Sequence, residues 1–385
     1  MNQRPIYLDA HATTPMDERV LSAMLPYFTE SFGNPSTNTH VYGWEASAAV
    51  KQAREAIANI INATPEEIVF TSGATEANNL AIKGVAEAYF AKGKHIVTVA
   101  TEHRAVLDPC AYLETLGFEV TYLPVESNGI LDLAKLAGAL REDTILVSVM
   151  AANNEIGVLQ PLAEIGKLCH SHEILFHTDA AQAIAKIPLD VAAMQIDLMS
   201  LTAHKMYGPK GIGALYVRRR DPRVKLASQI QGGGQEKGRR SGTLYTPQIV
   251  GFARALEIGV DSMETEAKRM MQLKQQLWSV FEPLAGIYLN GDFERSLPNN
   301  LNLSVAGVNG SALLLALQSV VAVSSGSACS SASTAPSHVL TALGRDKKLA
   351  HASLRFGIGR FNTPAEIELV GQTAIAAIES LRKAK

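Results

Sequence analysis

The chain has 385 residues, 47% of them hydrophobic, with 35 Lys and Arg against 37 Asp and Glu. That is ample apolar material for a packed interior, which excludes disorder, and too much length for one ordinary core; two domains are predicted, with one large α/β unit as the rival arrangement. The near-zero charge gives no basis for a nucleic-acid groove or a membrane-binding face, and no apolar run approaches bilayer-spanning length.

From Ile68 to about Val217, short β-rich runs alternate with helical patterns. The runs are 68–72 (IVFTS), 95–100 (HIVTVA), 119–124 (EVTYLP), 145–150 (ILVSVM), 174–179 (ILFHTD), 197–203 (DLMSLTA) and 213–218 (GALYVR). Several are continuously apolar, as strands covered on both faces are. Helical patterns at 75–92 and 162–172 lie between them, so the alternation predicts a mostly parallel sheet wrapped by helices.

The ends of these runs carry the residues suited to chemistry. Thr71-Ser72-Gly73-Ala74-Thr75-Glu76 sits where a strand hands over to a helix, and free N–H groups at the positive helix end suit a phosphate. An ordinary capping box, with Ser72 or Thr71 as cap, is the alternative. His103 follows the second run and reads either as a ring that stacks on a ligand and moves protons, or as a structural histidine. Asp179 ends the fifth run, where open α/β sheets bind ligands; its carboxylate suits a protonated ring nitrogen, or a helix N-cap. Lys205 follows the sixth run. Held in a dry pocket it would form a Schiff base with an aldehyde; otherwise it is a solvated surface lysine.

Beyond Val217 the rhythm changes. Residues 231–243 (QGGGQEKGRRSGT) read as a Gly-rich basic loop and 247–281 as one long helical pattern. Shorter strands (GIYLNG, NLNLSV, SLRFGIG) with helices near 311–319 and 364–383 predict a smaller α+β domain. Cys329 lies in the small, polar stretch 324–333 (SSGSACSSAS) and reads as a loop nucleophile, or as an incidental cysteine. Cys110 and Cys169 fall in helical patterns and read as inert core residues. His170 and His172 are two apart and cannot share a helix face, and no CxxC pair occurs, so no metal site is expected. Three cysteines fit a reducing compartment, and the start MNQRPIYLDAHATTP lacks the plan of a signal peptide; a cytoplasmic protein is expected.

Together these residues resemble the cysteine desulfurase family, within the class-V, aspartate-aminotransferase-like enzymes that use pyridoxal 5′-phosphate (PLP). The likeness is collinear from LDAHATTP to SLRFGIGRF, through FGNPS, IVFTSGATEANNLAIKG, TEHRAVLD, NNEIG, DAAQ, AHKMYGPKGIGALYVR and RRSGT. SSGSACSSAS is similar to the NifS/IscS-type branch (group I). The resemblance implies fold type I: a large α/β domain, 16–256, with a mostly parallel seven-stranded sheet, and a small α+β domain, 1–15 and 257–385, carrying the cysteine loop. It implies conversion of L-cysteine to L-alanine, with sulfur passing to Cys329 as a persulfide for iron–sulfur scaffolds and other acceptors.

By the same resemblance Lys205 would bind PLP as an imine, Asp179 would pair with the ring nitrogen, and Gln182 would bond the ring oxygen with Asn154 beside it, near the substrate. His103 would stack on the ring and exchange protons. Ala74, Thr75, Thr202 and His204 would hold the phosphate, and Thr243 would reach the phosphate of a neighbouring subunit, implying a homodimer. Arg355 would clamp the substrate carboxylate with a bidentate fork. No permanent metal is implied, with a transient iron–sulfur cluster at Cys329 left open. Ala10 and His11 replace a Tyr-Ser pair frequent in the family; His11 would either approach the substrate or pack, and packing is expected. The rival readings are a PLP lyase acting on selenocysteine, cystine or cysteine sulfinate, and a non-catalytic binding protein on the same fold. The joint presence of Lys205, Asp179, His103, Cys329 and Arg355 argues against the latter.

Overall fold

The computed structural model describes residues 4–325 and 335–384; Cys329 lies outside the described residues. Each of the seven apolar runs contributes one strand to a single sheet. Its order is Ile68–Thr71, Gly213–Val217, Leu198–Thr202, Leu175–Asp179, Thr144–Ser148, His95–Val99, Glu119–Leu123. Gly213–Val217 runs antiparallel to both neighbours and the remaining pairings are parallel.

The continuous apolar runs follow from burial on both faces. Ile96, Leu146 and Leu175 pack with Ile82, Val85 and Val106 of the helices Ala74–Ala88 and Arg104–Glu114. The alternate residues Val97, Val147 and Phe176 join the core that takes in Ile57, Ile165 and Phe252 from the helices Val41–Ile60, Leu162–Ser171 and Thr246–Asp261. Cys110 and Cys169 are buried in these two cores, and burial pushes the Cys110 thiol up to about 12.

The pattern at 247–281 resolves into two helices, Thr246–Asp261 and Met263–Phe281, rather than one. At the join the Ser262 hydroxyl donates to the Ile258 carbonyl at 2.7 Å, a back-bond that competes with the helix ladder. The second helix leaves for a separate core, where Leu277 and Phe281 meet Leu8, Leu303, Phe356, Ile367 and Ile378. An antiparallel sheet, Ser353–Gly357, Asn300–Val305 and Ile287–Leu289, supplies its floor. The helix Pro364–Lys383 closes it. Thr363 and Glu366 form a capping box, Pro364 starts the first turn, and Ile367, Val370, Ala374 and Ile378 recur on one buried face. Burying each of the larger side chains contributes about 1.5–3 kcal/mol. No helix among the described residues is long and apolar enough to cross a membrane.

Candidate active site

A cavity of about 460 Å³ opens where the parallel strands end. Five strand exits deliver residues to it: Ser72 and Gly73 after Ile68–Thr71, His103 after His95–Val99, Asn154 after Thr144–Ser148, Asp179 at the end of Leu175–Asp179, and Thr202 and Lys205 at the end of Leu198–Thr202. This is the rim where open α/β sheets bind ligands, and the volume suits a small organic cofactor.

The phosphate end is built from backbone. The helix Ala74–Ala88 has Gly73 as N-cap with no side-chain cap bond, so the capping-box alternative does not hold. Thr71 instead donates its hydroxyl to the Gly73 carbonyl at 3.0 Å, and Glu76 takes the Ser72 N–H at 2.7 Å. The first helical N–H groups, at Ala74 and Thr75, are thus left facing the cavity rim at the positive end of the macrodipole. Gly73 has φ 154°, and a Cβ on Gly213 would come 2.7 Å from the Gly73 Cα, so both positions require glycine for this close approach. Thr75, Thr202 and His204 line the same end. Burial, then the Lys205 charge, lowers His204 to about 4, so the ring is neutral.

Asp179 lines the same cavity. Its Oδ1 accepts the Ala181 N–H at 2.9 Å and its Oδ2 accepts from Asn78 Nδ2 at 2.7 Å. The carboxylate is therefore oriented by a local turn, and since no helix starts here the N-cap alternative does not hold. Asn78 was not singled out in the sequence; its signal was a polar residue on the sheet-facing side of a helix, where it is fully buried.

Lys205 sits on a turn strapped by the N-terminal segment. Thr14 donates its hydroxyl and its N–H to the His204 carbonyl, each at 2.9 Å, and its oxygen accepts the Tyr207 N–H at 2.7 Å. Tyr207 has φ 65°, the conformation that reverses the chain directly after the lysine. Lys210 joins the lining and was not singled out either.

His103 caps the helix Arg104–Glu114, its Nδ1 accepting the Ala105 N–H at 3.0 Å. That bond fixes the tautomer: Nε2 carries the hydrogen of the neutral ring. Burial is the main cause lowering its pKa, with the Asp179 carboxylate acting the other way and Lys205 adding to the fall. Behind it Glu102 is fully buried, with Oε1 accepting the Met150 N–H at 2.5 Å and Oε2 without a partner, and burial raises its pKa well above normal.

Arg355 is 1% exposed and is not among the cavity-lining residues. Its Nη1 donates to the Asn154 carbonyl at 3.0 Å, its Nη2 to Asp9 Oδ1 at 2.8 Å, and its Nε has no partner. The Arg355 N–H also donates to the Ser324 carbonyl at 2.8 Å. Asn154 lines the cavity with a buried, unpartnered Oδ1. The adjoining Glu155 takes the Ser337 hydroxyl at 2.5 Å, and burial pushes its carboxyl up to about 7. Thr243 is exposed and does not line the cavity. Among the described residues no cluster of His, Cys, Asp and Glu could hold a metal ion.

The residues fit PLP. Free helix N–H groups and hydroxyls suit its phosphate, an oriented carboxylate suits a pyridinium nitrogen, a neutral histidine lines the same space, and a lysine stands within it for the aldehyde. Comparisons with known proteins agree. The family model for "Aminotransferase class-V" matches residues 6–370. The chain is 54% identical over 381 residues to a cysteine desulfurase of Homo sapiens, covering 99% of this chain and 83% of that one. It is 55% identical over 379 residues to the cysteine desulfurase IscS of Neisseria meningitidis (98% and 93% covered). A solved "NifS-like protein" superposes with a TM-score of 0.90 at 38% identity, over 98% of this chain and all of that one. A cavity built in this way, in a chain matched over nearly its whole length, makes the protein a member of the PLP-dependent class-V aminotransferase family, in its cysteine desulfurase branch.

Proposed function

We propose that this protein is a cysteine desulfurase that converts L-cysteine to L-alanine and takes the sulfur onto Cys329 as a persulfide. The observation that carries the reading is the convergence of Lys205, Asp179, His103 and the open N-terminus of Ala74–Ala88 on one cavity. Bound PLP supplies an electron sink conjugated to the substrate nitrogen. Ala74, Thr75, Thr202 and His204 would hold its phosphate, Asp179 would keep its ring nitrogen protonated, Gln182 would meet its ring oxygen, and His103 would lie against the ring.

Lys205 is the base that removes the substrate Cα proton, and His103, with hydrogen on Nε2, exchanges protons with the substrate. Arg355 receives the substrate carboxylate through the N–H groups that Asp9 and Asn154 leave unused. The Cys329 thiolate attacks the substrate sulfur. A new S–S bond forms as the Cβ–S bond breaks, its electron pair stays with Cβ, and protonation there yields the methyl group of alanine. The separate core around Phe281 and Phe356 supports a division into a cofactor-holding domain, 16–256, and a second domain of 1–15 with 257–385.

Exposed Leu25, Phe28, Phe32, Tyr42, Trp44 and Tyr245 support a homodimer. Phe32 stacks on Tyr42 and Phe28 meets Tyr245 edge-on, and such a connected aromatic surface favours burial against a second copy. Thr243, two residues from Tyr245 and away from its own cavity, would then serve the partner's phosphate. Iron–sulfur scaffolds and other sulfur acceptors in the cytoplasm are the destinations this reading assigns. The test is mass spectrometry after brief exposure to cysteine: the Cys329 peptide gains one sulfur atom, and Cys329→Ala binds PLP and cysteine without forming the persulfide. Undiminished turnover by that variant overturns the assignment.

A further inference from the structure

His11 stands where the sequence departs from its family, and the expectation was that it packs. It is 1% exposed, but it does more than fill space. Its Nδ1 lies 3.0 Å from Gln182 Oε1, and its own carbonyl accepts from Gln182 Nε2 at 2.9 Å. From the other side Lys186 Nζ donates to the same Gln182 Oε1 at 3.1 Å. Lys186 and Lys205 both line a small cavity of about 30 Å³ that also touches Ala10 and Asn299.

The orientation of the Gln182 amide is decided by these neighbours. A carbonyl oxygen can only accept and an amine can donate, so Nε2 must face the His11 carbonyl and Oε1 must face Lys186. A flipped amide would set oxygen against oxygen in a buried site, at a cost of about 1–3 kcal/mol for the group left unsatisfied. Oε1 is then an acceptor toward His11, which must carry hydrogen on Nδ1. The bare Nε2 of that tautomer then faces the Asn299 carbonyl at 3.2 Å as acceptor against acceptor, which is the cost of this arrangement; the carbonyl itself is satisfied by the Ile358 N–H at 2.9 Å. Burial, with Lys186, Arg355 and Lys205 nearby, holds the His11 ring neutral.

The count of donors and acceptors is then closed. Both lone pairs of Oε1 are used, one Nε2 hydrogen is used, and one remains on a side chain that lines the main cavity. We propose that His11 and Lys186 are positioning residues that lock the Gln182 carboxamide, so that it presents a hydrogen-bond donor, and not an acceptor, to the PLP ring oxygen. This rests on the reading of Gln182 given above and extends it to two residues that do not touch the cofactor.

A donor aimed at the ring oxygen favours its anionic form. Loss of either side chain strips a donor from Oε1 while the residue-11 carbonyl still holds Nε2, so the amide tilts and its remaining N–H leaves the ring oxygen, which raises the pH midpoint of the cofactor's visible absorption band. Spectrophotometric titration of the PLP-loaded protein reads this directly. His11→Leu and Lys186→Met each raise the midpoint by roughly one pH unit, about a tenfold change in proton affinity. His11→Asn, which can return an N–H to the place of Nδ1, restores it. A purely structural role would lower the thermal midpoint and the cofactor content and leave the titration in place. Gln182→Leu separates the two layers. If it leaves the midpoint unmoved, the reading of Gln182 itself fails. If it moves the midpoint while His11→Leu and Lys186→Met do not, the lock alone is overturned. His11 and Lys186 approach from different elements, so either foldable variant decides the matter.

Discussion

Replacing Arg355 by Gln probes the substrate end of the site. The guanidinium has five N–H groups, of which one goes to Asp9 and one to Asn154, with Nε unpartnered. A charge-assisted bond to a carboxylate is worth about 1.5–3 kcal/mol, and because the substrate must compete with Asp9 for the same cation the net loss is about one such bond. Because about 1.4 kcal/mol is tenfold, KM for cysteine rises about 10–100-fold. Folding also suffers. Asp9 loses its cation and the Asn154 carbonyl a donor. Since the Asp9 side chain is 19% exposed, water compensates in part, and the cost is about 1–3 kcal/mol rather than the larger penalty of a fully buried broken pair. The assay is alanine formation against cysteine concentration, alongside binding of cysteamine, which is cysteine without the carboxylate. In the parent, cysteine is favoured over cysteamine; in Arg355→Gln the preference collapses because only cysteine weakens. Asp9→Asn controls for the ion pair. An unchanged KM for cysteine, or equal weakening of both ligands, refutes the carboxylate role.

Lys205→Ala loses the lysine that borohydride would fix to PLP; a covalently fixed ring in that variant would move the assignment to Lys186 or Lys210, both close by. Glu155 has its carboxyl raised by burial to about 7, above the ordinary 4.5. The folded state therefore binds the proton more tightly than the unfolded chain, and stability from this group is present below about 4.5 and falls as pH rises to about 7. Glu155→Gln keeps an acceptor for Ser337 and flattens that fall, measured as thermal midpoint against pH; an unchanged slope sinks the claim. Sulfate, a dianion like the cofactor's phosphate, raises the thermal midpoint of the PLP-stripped protein more than that of the loaded one, the latter reporting only the general salting effect. Equal gains in both forms would mean that no anion site exists at Ala74 and Thr75.

Six of the seven strands were legible because they are buried along their whole length and so rich in apolar residues, and the half-exposed edge strand Glu119–Leu123 because its residues favour strands. The strand order and the reversed direction of Gly213–Val217 were not, since they are set by pairings between distant segments. Thr246–Asp261 and Met263–Phe281 read as one helix because Ser262 is a weak punctuator whose back-bond shows only in three dimensions. Residues that meet the cavity at strand ends, such as Asp179 and Lys205, carried a positional signal. Those that act from behind did not. Asn78 supports Asp179 across 101 positions in sequence, and Lys186 reaches Gln182 from within an ordinary-looking AAQAIAK stretch. His11 was noticed as a departure but read as filler, because its partner Gln182 lies 171 residues away.

The electrostatic arrangement explains why so many groups here carry no charge. Glu76 lines the cavity but is answered by Arg240 at 2.7 Å, and Asp179 is tied to neutral donors. Lys205 and Lys210 remain in the lining, with Lys186 and Arg355 just behind. Burial is the first cause of the lowered pKa values of His11, His103, His204 and Lys186, and the Lys205 charge adds to the fall in every one of them. Burial is what keeps these histidines neutral and brings Lys186 to about 7, and the neighbouring cations add to it. A phosphate dianion and a substrate carboxylate are guests suited to such a lining. For His103 the Asp179 carboxylate opposes the fall more than Lys205 adds to it, so desolvation is what leaves the ring neutral, with the one N–H and one bare nitrogen that a proton-exchanging residue needs.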